Sequence, residues 1–329
     1  MRALTGGFRV LQRFQAVQGL SFSTSSREHP KFNILFFCPR NEEHFVRFHG
    51  EYPDFIKSVN PESVAVTDIA SKPENNIHAI RALLRSDITG SMIIPHLTLI
   101  GHDKEDTDQK IRFFEECGIK SVFLVKGNPK VFGRDKDYAQ HPEGYKDMPQ
   151  LMARVKELVP AMKIIIAGYP EKHPYAKSFD EDMDSLKRKV DCGADMIITQ
   201  HFFGNDPLLI FLEQCQKRKI DIPVIPSILP IGNPKYLFSF CQESNVDIPA
   251  QAIRILLEKD GMTAMSDTIG DPVVRMHAAE YTAKQIQDIV DLQLPQVPKI
   301  NLYTANNIGF LKEVFGILSL TEETKSRSM

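Results

Sequence analysis

The first 27 residues of this 329-residue chain contain no aspartate and no glutamate. Nowhere along the sequence does an apolar run approach the ~20 residues that a membrane-spanning helix needs, so no membrane span is expected. Five cysteines are present, Cys38, Cys117, Cys192, Cys215 and Cys241, and they form no CxxC pair. Neither a metal site nor a disulfide framework is therefore expected, and isolated thiols suit a reducing compartment. A surplus of one charge is lacking too. The formal net charge of −2 removes the basic footprint of a general nucleic-acid binder. What remains is an ordinary 42% apolar content, enough for a sizeable core.

The acid-free segment carries Arg2, Arg9, Arg13 and Arg27 and ends in the hydroxyl-rich stretch Ser21 to Ser26. Phe8, Leu11, Phe14 and Val17 can share one helical side. An Arg-rich, Ser-rich, amphipathic leader is the pattern of a mitochondrial presequence. Residues 1–29 are therefore expected to lie outside the fold and to address the chain to the mitochondrial matrix; a disordered terminus with no address is the alternative.

The chain is organised around residues 164–205. The run Lys163 to Gly168 predicts a buried strand. A loop rich in Pro, His and Tyr follows, then a helix, a Cys192-Gly193 stop, and a second strand from Met196 to Thr199. This is one strand–helix–strand unit of a parallel sheet. Met183, Leu186 and Val190 make the apolar stripe of its helix, while Asp182, Ser185 and Lys189 on their own read as a solvated face. Tyr169, Glu171 and His173 follow the first strand, and Gln200 and His201 follow the second. Ligands of parallel α/β folds bind at such carboxyl ends.

The run GYPEKHP followed by LKRKVDCGADMIITQHFF resembles the heart of the methylenetetrahydrofolate reductase family. Pro95-His96-Leu97-Thr98, Ile225 to Pro230 and Leu302-Tyr303-Thr304-Ala305-Asn306 resemble further family segments in the same order. The resemblance covers roughly residues 31–317. It implies an α/β fold, a single (β/α)8 TIM-type barrel over residues 30–320. It also implies FAD as cofactor, NADH or NADPH as co-substrate, and reduction of methylenetetrahydrofolate, a folate-type small molecule. A barrel of this type takes about 250 residues, which leaves room for extra helices between strands seven and eight. Two of these are expected from Asp247 to Leu292, the second with an apolar face of Ala279, Ala283, Ile286 and Val290. A single helix is expected from Glu42 to Val59, a last helix from Ile308 to Leu318, and a frayed polar tail over 321–329.

The resemblance also assigns roles. Thr67 and His96 are implied to face the flavin, although His96 alone also reads as a hydrogen-bonded structural histidine. Lys126 and Gly127 are implied at the pyrophosphate, the glycine for close backbone approach. Asn128 stands for an aspartate beside the flavin ring, and loss of that charge implies a higher potential. Tyr145, Tyr169 and His173 are implied around the adenosine part of FAD. Asp182, Arg188 and Lys189 are implied at ribose and phosphates, and Gln200 with Tyr303 at the substrate.

Several positions depart from the family pattern. Leu35 stands where the family carries its general acid, and a leucine has no proton to give. Glu42 and Glu43 lie close by, at a helix start where acids are expected for dipole reasons. Asp68-Ile69-Ala70 replaces an aromatic-Gly-Ala run, and His201 replaces a phenylalanine. Pro234 stands where a stacking phenylalanine is usual, and Asn307 where an arginine holds the folate tail. Two readings follow. One is a methylenetetrahydrofolate reductase-type enzyme, impaired or shifted in substrate. The other is a catalytically silent member that serves as a structural or flavin-binding subunit, as a homo-oligomer or in a mitochondrial assembly.

Overall fold

Eight short runs of β-branched and aromatic residues pair in chain order and close on themselves: β1 (Phe32–Phe36), β2 (Ser63–Val66), β3 (Ile93–Thr98), β4 (Ser121–Val125), β5 (Lys163–Gly168), β6 (Met196–His201), β7 (Val224–Ile228) and β8 (Ile300–Tyr303). Every pairing is parallel, including β1 with β8. The computed structural model describes residues 31–69, 73–127, 141–232, 234–257 and 269–327. The expected leader, residues 1–29, lies outside the described residues.

Register fixes which side chains fill the barrel, because successive residues of a strand point to opposite faces. Phe36 packs against Phe48 and Tyr52 of the surrounding helices, so its neighbours Leu35 and, two back, Asn33 face inward. Asn33 is paired with Ser63 and Asn301, and Asn301 with Ser227. These four buried polar residues form one layer, joined by Ser63–Asn33 and Asn301–Ser227 hydrogen bonds. Two residues further toward the strand ends, Leu35, Ala65 and Tyr303 make the next layer.

The surrounding helices are α1 (Glu42–His49), α2 (Glu51–Val59), α3 (Pro73–Arg85), α4 (Lys104–Glu116), α5 (Met148–Leu158), α6 (Phe179–Asp191), α7 (Asn205–Lys217), α8 (Pro234–Ser244), α9 (Ala250–Leu257), α10 (Pro272–Asp291) and α11 (Ile308–Arg327). The single helix expected from Glu42 to Val59 is two. Gly50, at φ −144° and ψ −81°, breaks it, and its N–H turns back to the Arg47 carbonyl. The repeated Cys-Gly stops behave alike. Gly118 and Gly193, at φ +73° and +97°, end α4 and α6 in the left-handed region where glycine carries no Cβ penalty.

Helices α9 and α10 are the additional pair between β7 and β8. Ala279, Ala283 and Ile286 of α10 are buried, as the stripe requires. The last helix does not stop at Leu318. It continues to Arg327, through most of the stretch expected to fray, because Thr321 to Arg327 contains no Gly or Pro to end it.

Candidate active site at the carboxyl ends of the strands

The loops after β1 and β2 are tied together before any ligand is considered. Thr67 Oγ1 accepts from the Cys38 N–H at 2.8 Å, and Asn76 Nδ2 donates to the Val66 and Thr67 carbonyls. Leu35 is fully buried. Glu43 is exposed and bonded to Arg47, four residues along the same helix, so it is committed at the surface.

His96 lies on the inner face of β3, edge-on to Phe123 at 4.6 Å. Among the described residues its Nε2 is a buried nitrogen with no hydrogen-bond partner. Burial holds its pKa down at about 4 despite the nearby Asp68, so the ring is neutral. Asp68 itself was unforeseen as a structural element. Its buried carboxylate accepts from Lys110 Nζ at 3.0 Å, from Thr98 Oγ1 at 3.0 Å and from the Thr98 N–H at 3.2 Å. His102 Nε2 lies 3.4 Å away.

Gly127 follows β4 at φ +87°, and a Cβ there would sit 2.6 Å from Ile100 Cγ1. The glycine is required by this protein's own packing. Lys126 is exposed and Asn128 lies outside the described residues. Tyr145 is buried, and its hydroxyl donates to Asp108 Oδ1 at 2.7 Å. Arg154 holds the same carboxylate from α5, at 3.0 Å to Oδ2, so Tyr145 stands in a clamp between α4 and α5.

Beyond β5 the expected residues do converge. Tyr169 and His173 meet edge to face at 4.5 Å, and Asp182 Oδ2 accepts from the His173 N–H at 2.9 Å. Lys189 Nζ reaches the Ala167 carbonyl at 3.2 Å. Burial depresses the Lys189 pKa and raises that of Asp182. Burial and the charges of Lys126, Lys189 and Lys172 together hold His173 at about 4. Three ammonium groups around a neutral histidine suit an anionic ligand such as a pyrophosphate. Lys172 was not foreseen. It stands at φ +76° and donates to the Ala176 carbonyl at 2.7 Å. Arg188 is exposed, on the outside of the same helix.

Across the mouth, the Tyr303 hydroxyl donates to Gln200 Oε1 at 3.4 Å. Gln200 and His201 fall within β6 rather than after it. His201 is fully buried and stacks on Phe240 of α8, with centroids 4.6 Å apart and planes at 17°. Phe37 and Tyr303 complete this aromatic wall, each within about 6.5 Å of Phe240. Phe240 was not foreseen, and only its spacing from β7 could have suggested it. Pro234 is buried at the start of α8. Asn307 Oδ1 accepts from the Phe310 N–H at 3.2 Å and so caps α11.

The comparisons with known proteins agree with this arrangement. Residues 22–318 match the family described as Methylenetetrahydrofolate reductase. A 5,10-methylenetetrahydrofolate reductase of Pectobacterium carotovorum subsp. carotovorum is 31% identical over 256 residues, 77% of this chain and 78% of that protein. The protein of the same name from Escherichia coli (strain K12) is 35% identical over 217 residues, 65% of this chain and 69% of its own. In fold, the chain is similar to an uncharacterized protein from Clostridium thermocellum that binds two copies of 5-methyl-5,6,7,8-tetrahydrofolic acid. The TM-score is 0.63 at 14% identity, over 89% of this chain and 97% of that one. A closed eight-stranded parallel barrel and a sequence match running from residue 22 to 318 place this chain in the methylenetetrahydrofolate reductase family.

Proposed function

We propose that this chain is a flavin-dependent oxidoreductase that passes a hydride from NADH or NADPH, through FAD held at the barrel mouth, to methylenetetrahydrofolate. The observation that carries the reading is the placing of Gln200 and Tyr303 together at the barrel mouth, with an inward-facing His96 whose Nε2 has no hydrogen-bond partner among the described residues. The site fits the cofactor on two counts. Among the described residues His96 Nε2 is a buried nitrogen without a hydrogen-bond partner, facing the barrel interior, and Lys126, Lys172 and Lys189 gather positive charge around His173. A bound flavin supplies two-electron chemistry, accepting a hydride from one substrate and giving it to the next in the same pocket.

This chain's residues do the rest. The three lysines favour the phosphates, and Asp182 holds the His173 loop in place through the backbone N–H. Gln200 and Tyr303 orient the folate-type ring. The aromatic wall of Phe37, His201, Phe240 and Tyr303 excludes water from it. No carboxylic acid occupies the inner position of β1, because Leu35 does, so protonation of the folate nitrogen is the weak step. This one position favours the second reading, a flavin-holding member with little folate turnover.

The test is the visible spectrum of the chain purified from Glu28 onward. A stoichiometric flavin spectrum, bleached by NADH or NADPH and restored by methylenetetrahydrofolate, is the expected result. A bleached spectrum that the folate does not restore leaves the flavin-holding reading. A colourless protein that takes up no FAD overturns both. The acid-free leader directs the protein to the mitochondrial matrix in this proposal. Fractionation of cells expressing a C-terminally tagged chain checks that, and a purely cytosolic product rules it out.

A further inference from the structure

Gln200 Oε1 has three donors around it: the His201 backbone N–H at 3.1 Å, His201 Nδ1 at 2.9 Å and the Tyr303 hydroxyl at 3.4 Å. The backbone N–H can only donate, so it settles which end of the amide is the oxygen. With Oε1 so placed, His201 Nδ1 must carry the hydrogen, and the neutral ring then leaves Nε2 as an acceptor. That nitrogen faces Cys241 Sγ at 3.6 Å, and the thiol serves as its donor. Burial holds the His201 pKa at about 3 and pushes the Cys241 thiol up to about 12, which keeps both in these states at neutral pH. Among the described residues nothing accepts from Gln200 Nε2, and that atom is not sealed from solvent.

We infer that His201 is a positioning residue, which locks the Gln200 amide so that only its Nε2–H donors face the barrel mouth and select a heterocycle with an acceptor, a ring nitrogen or carbonyl, at that edge. The lock runs from Cys241 through His201 to Gln200, from α8 to the inner wall of β6. It rests on the folate-type reading for the identity of the heterocycle, but not for the lock itself. A phenylalanine at position 201, usual in the family, offers the same stacking surface to Phe240 without the donor.

Two variants separate hydrogen bonding from packing. His201→Phe keeps the stack on Phe240 and removes the donor. His201→Asn removes the stack, and its amide nitrogen replaces Nδ1. Calorimetric titration of the flavin-loaded full chain with methyltetrahydrofolate is expected to show about tenfold weaker binding for His201→Phe, and about threefold or less for His201→Asn. The opposite order, or no change in His201→Phe, overturns the inference. A long-range nitrogen-15 spectrum of the histidine rings reads the lock without any folate. An Nδ1–H tautomer for His201 is expected, and an Nε2–H tautomer overturns the inference. If the wild-type chain shows the Nδ1–H tautomer and binds no methyltetrahydrofolate, the folate reading fails while the lock stands.

Discussion

The Asp68 carboxylate is wholly buried and lies 3.0 Å from the Lys110 ammonium, which is itself 4% exposed. The pair joins the loop after β2 to α4, across 42 residues of sequence. Burial alone would raise the Asp68 pKa, but the His102 hydrogen bond and the Lys110 charge outweigh it and bring the value to about 2. Removing one partner of such a pair leaves the other charged in an apolar site. Asp68→Asn is therefore expected to cost about 3–5 kcal/mol, read as a lower urea midpoint. The linkage has a definite sign. The folded pKa lies below the unfolded value of 3.8. Asp68 thus contributes its stability above about pH 4, and loses it as the pH falls through about 2.

A different window belongs to the buried histidines. His96 and His201 have pKa values held at about 4 and about 3 by burial, against an unfolded 6.5. Between those values the unfolded chain binds protons that the folded chain refuses, so stability falls as the pH is lowered from 6.5. By pH 5 each histidine is expected to cost about 2 kcal/mol. Urea titrations at pH 7 and pH 5 check this. His96→Gln should show a smaller drop between the two pH values than the wild type; an equal drop would mean that His96 does not titrate in this window.

Gly127 is strained against any side chain in two ways. Its φ is +87°, and a Cβ would meet Ile100 Cγ1 at 2.6 Å. Gly127→Ala is expected to destabilise by more than about 1 kcal/mol. Adding Ile100→Ala should relieve the clash but not the backbone term, so the double variant should recover only part of the loss. Thermal melts of the two variants decide it, and full recovery would place the whole cost in the contact.

The eight strands were legible because each is a short buried run bounded by turn residues, and the order of family segments fixed their sequence. The break in the first helix was legible in principle, since Gly50 is followed three residues later by Pro53, which suits the first turn of a new helix rather than the interior of one. Much of the site was not. Asp68 and Lys110 are 42 residues apart, and His201 and Cys241 are 40 apart. Nothing local marks such pairs, because closure of the barrel brings them together. The resemblance implies Tyr145 at the adenosine part of FAD, but nothing local marks the bond from its hydroxyl to Asp108, 37 residues earlier.

Leu35 is the position at which the two proposed readings, an enzyme and a flavin-holding member, can be told apart. It is fully buried on the inner face of β1 and paired laterally with Tyr303 and Ala65. A glutamate there would stand beside the Tyr303 phenol in apolar surroundings, where desolvation raises a carboxyl pKa and keeps it protonated as an acid. Leu35→Glu is expected to raise the rate at which methylenetetrahydrofolate reoxidises the reduced protein by about 10²-fold or more. The rate of reduction by NADH should be unchanged, because no proton is needed from this position in that half-reaction. The substitution should also cost roughly 1–3 kcal/mol of stability. Stopped-flow absorbance separates the two half-reactions. A gain confined to the folate half would show that the rest of the site is intact and lacks only its acid. No gain in a stably folded, flavin-loaded variant would mean that the pocket no longer holds the folate in a reactive pose, and the flavin-holding reading would stand.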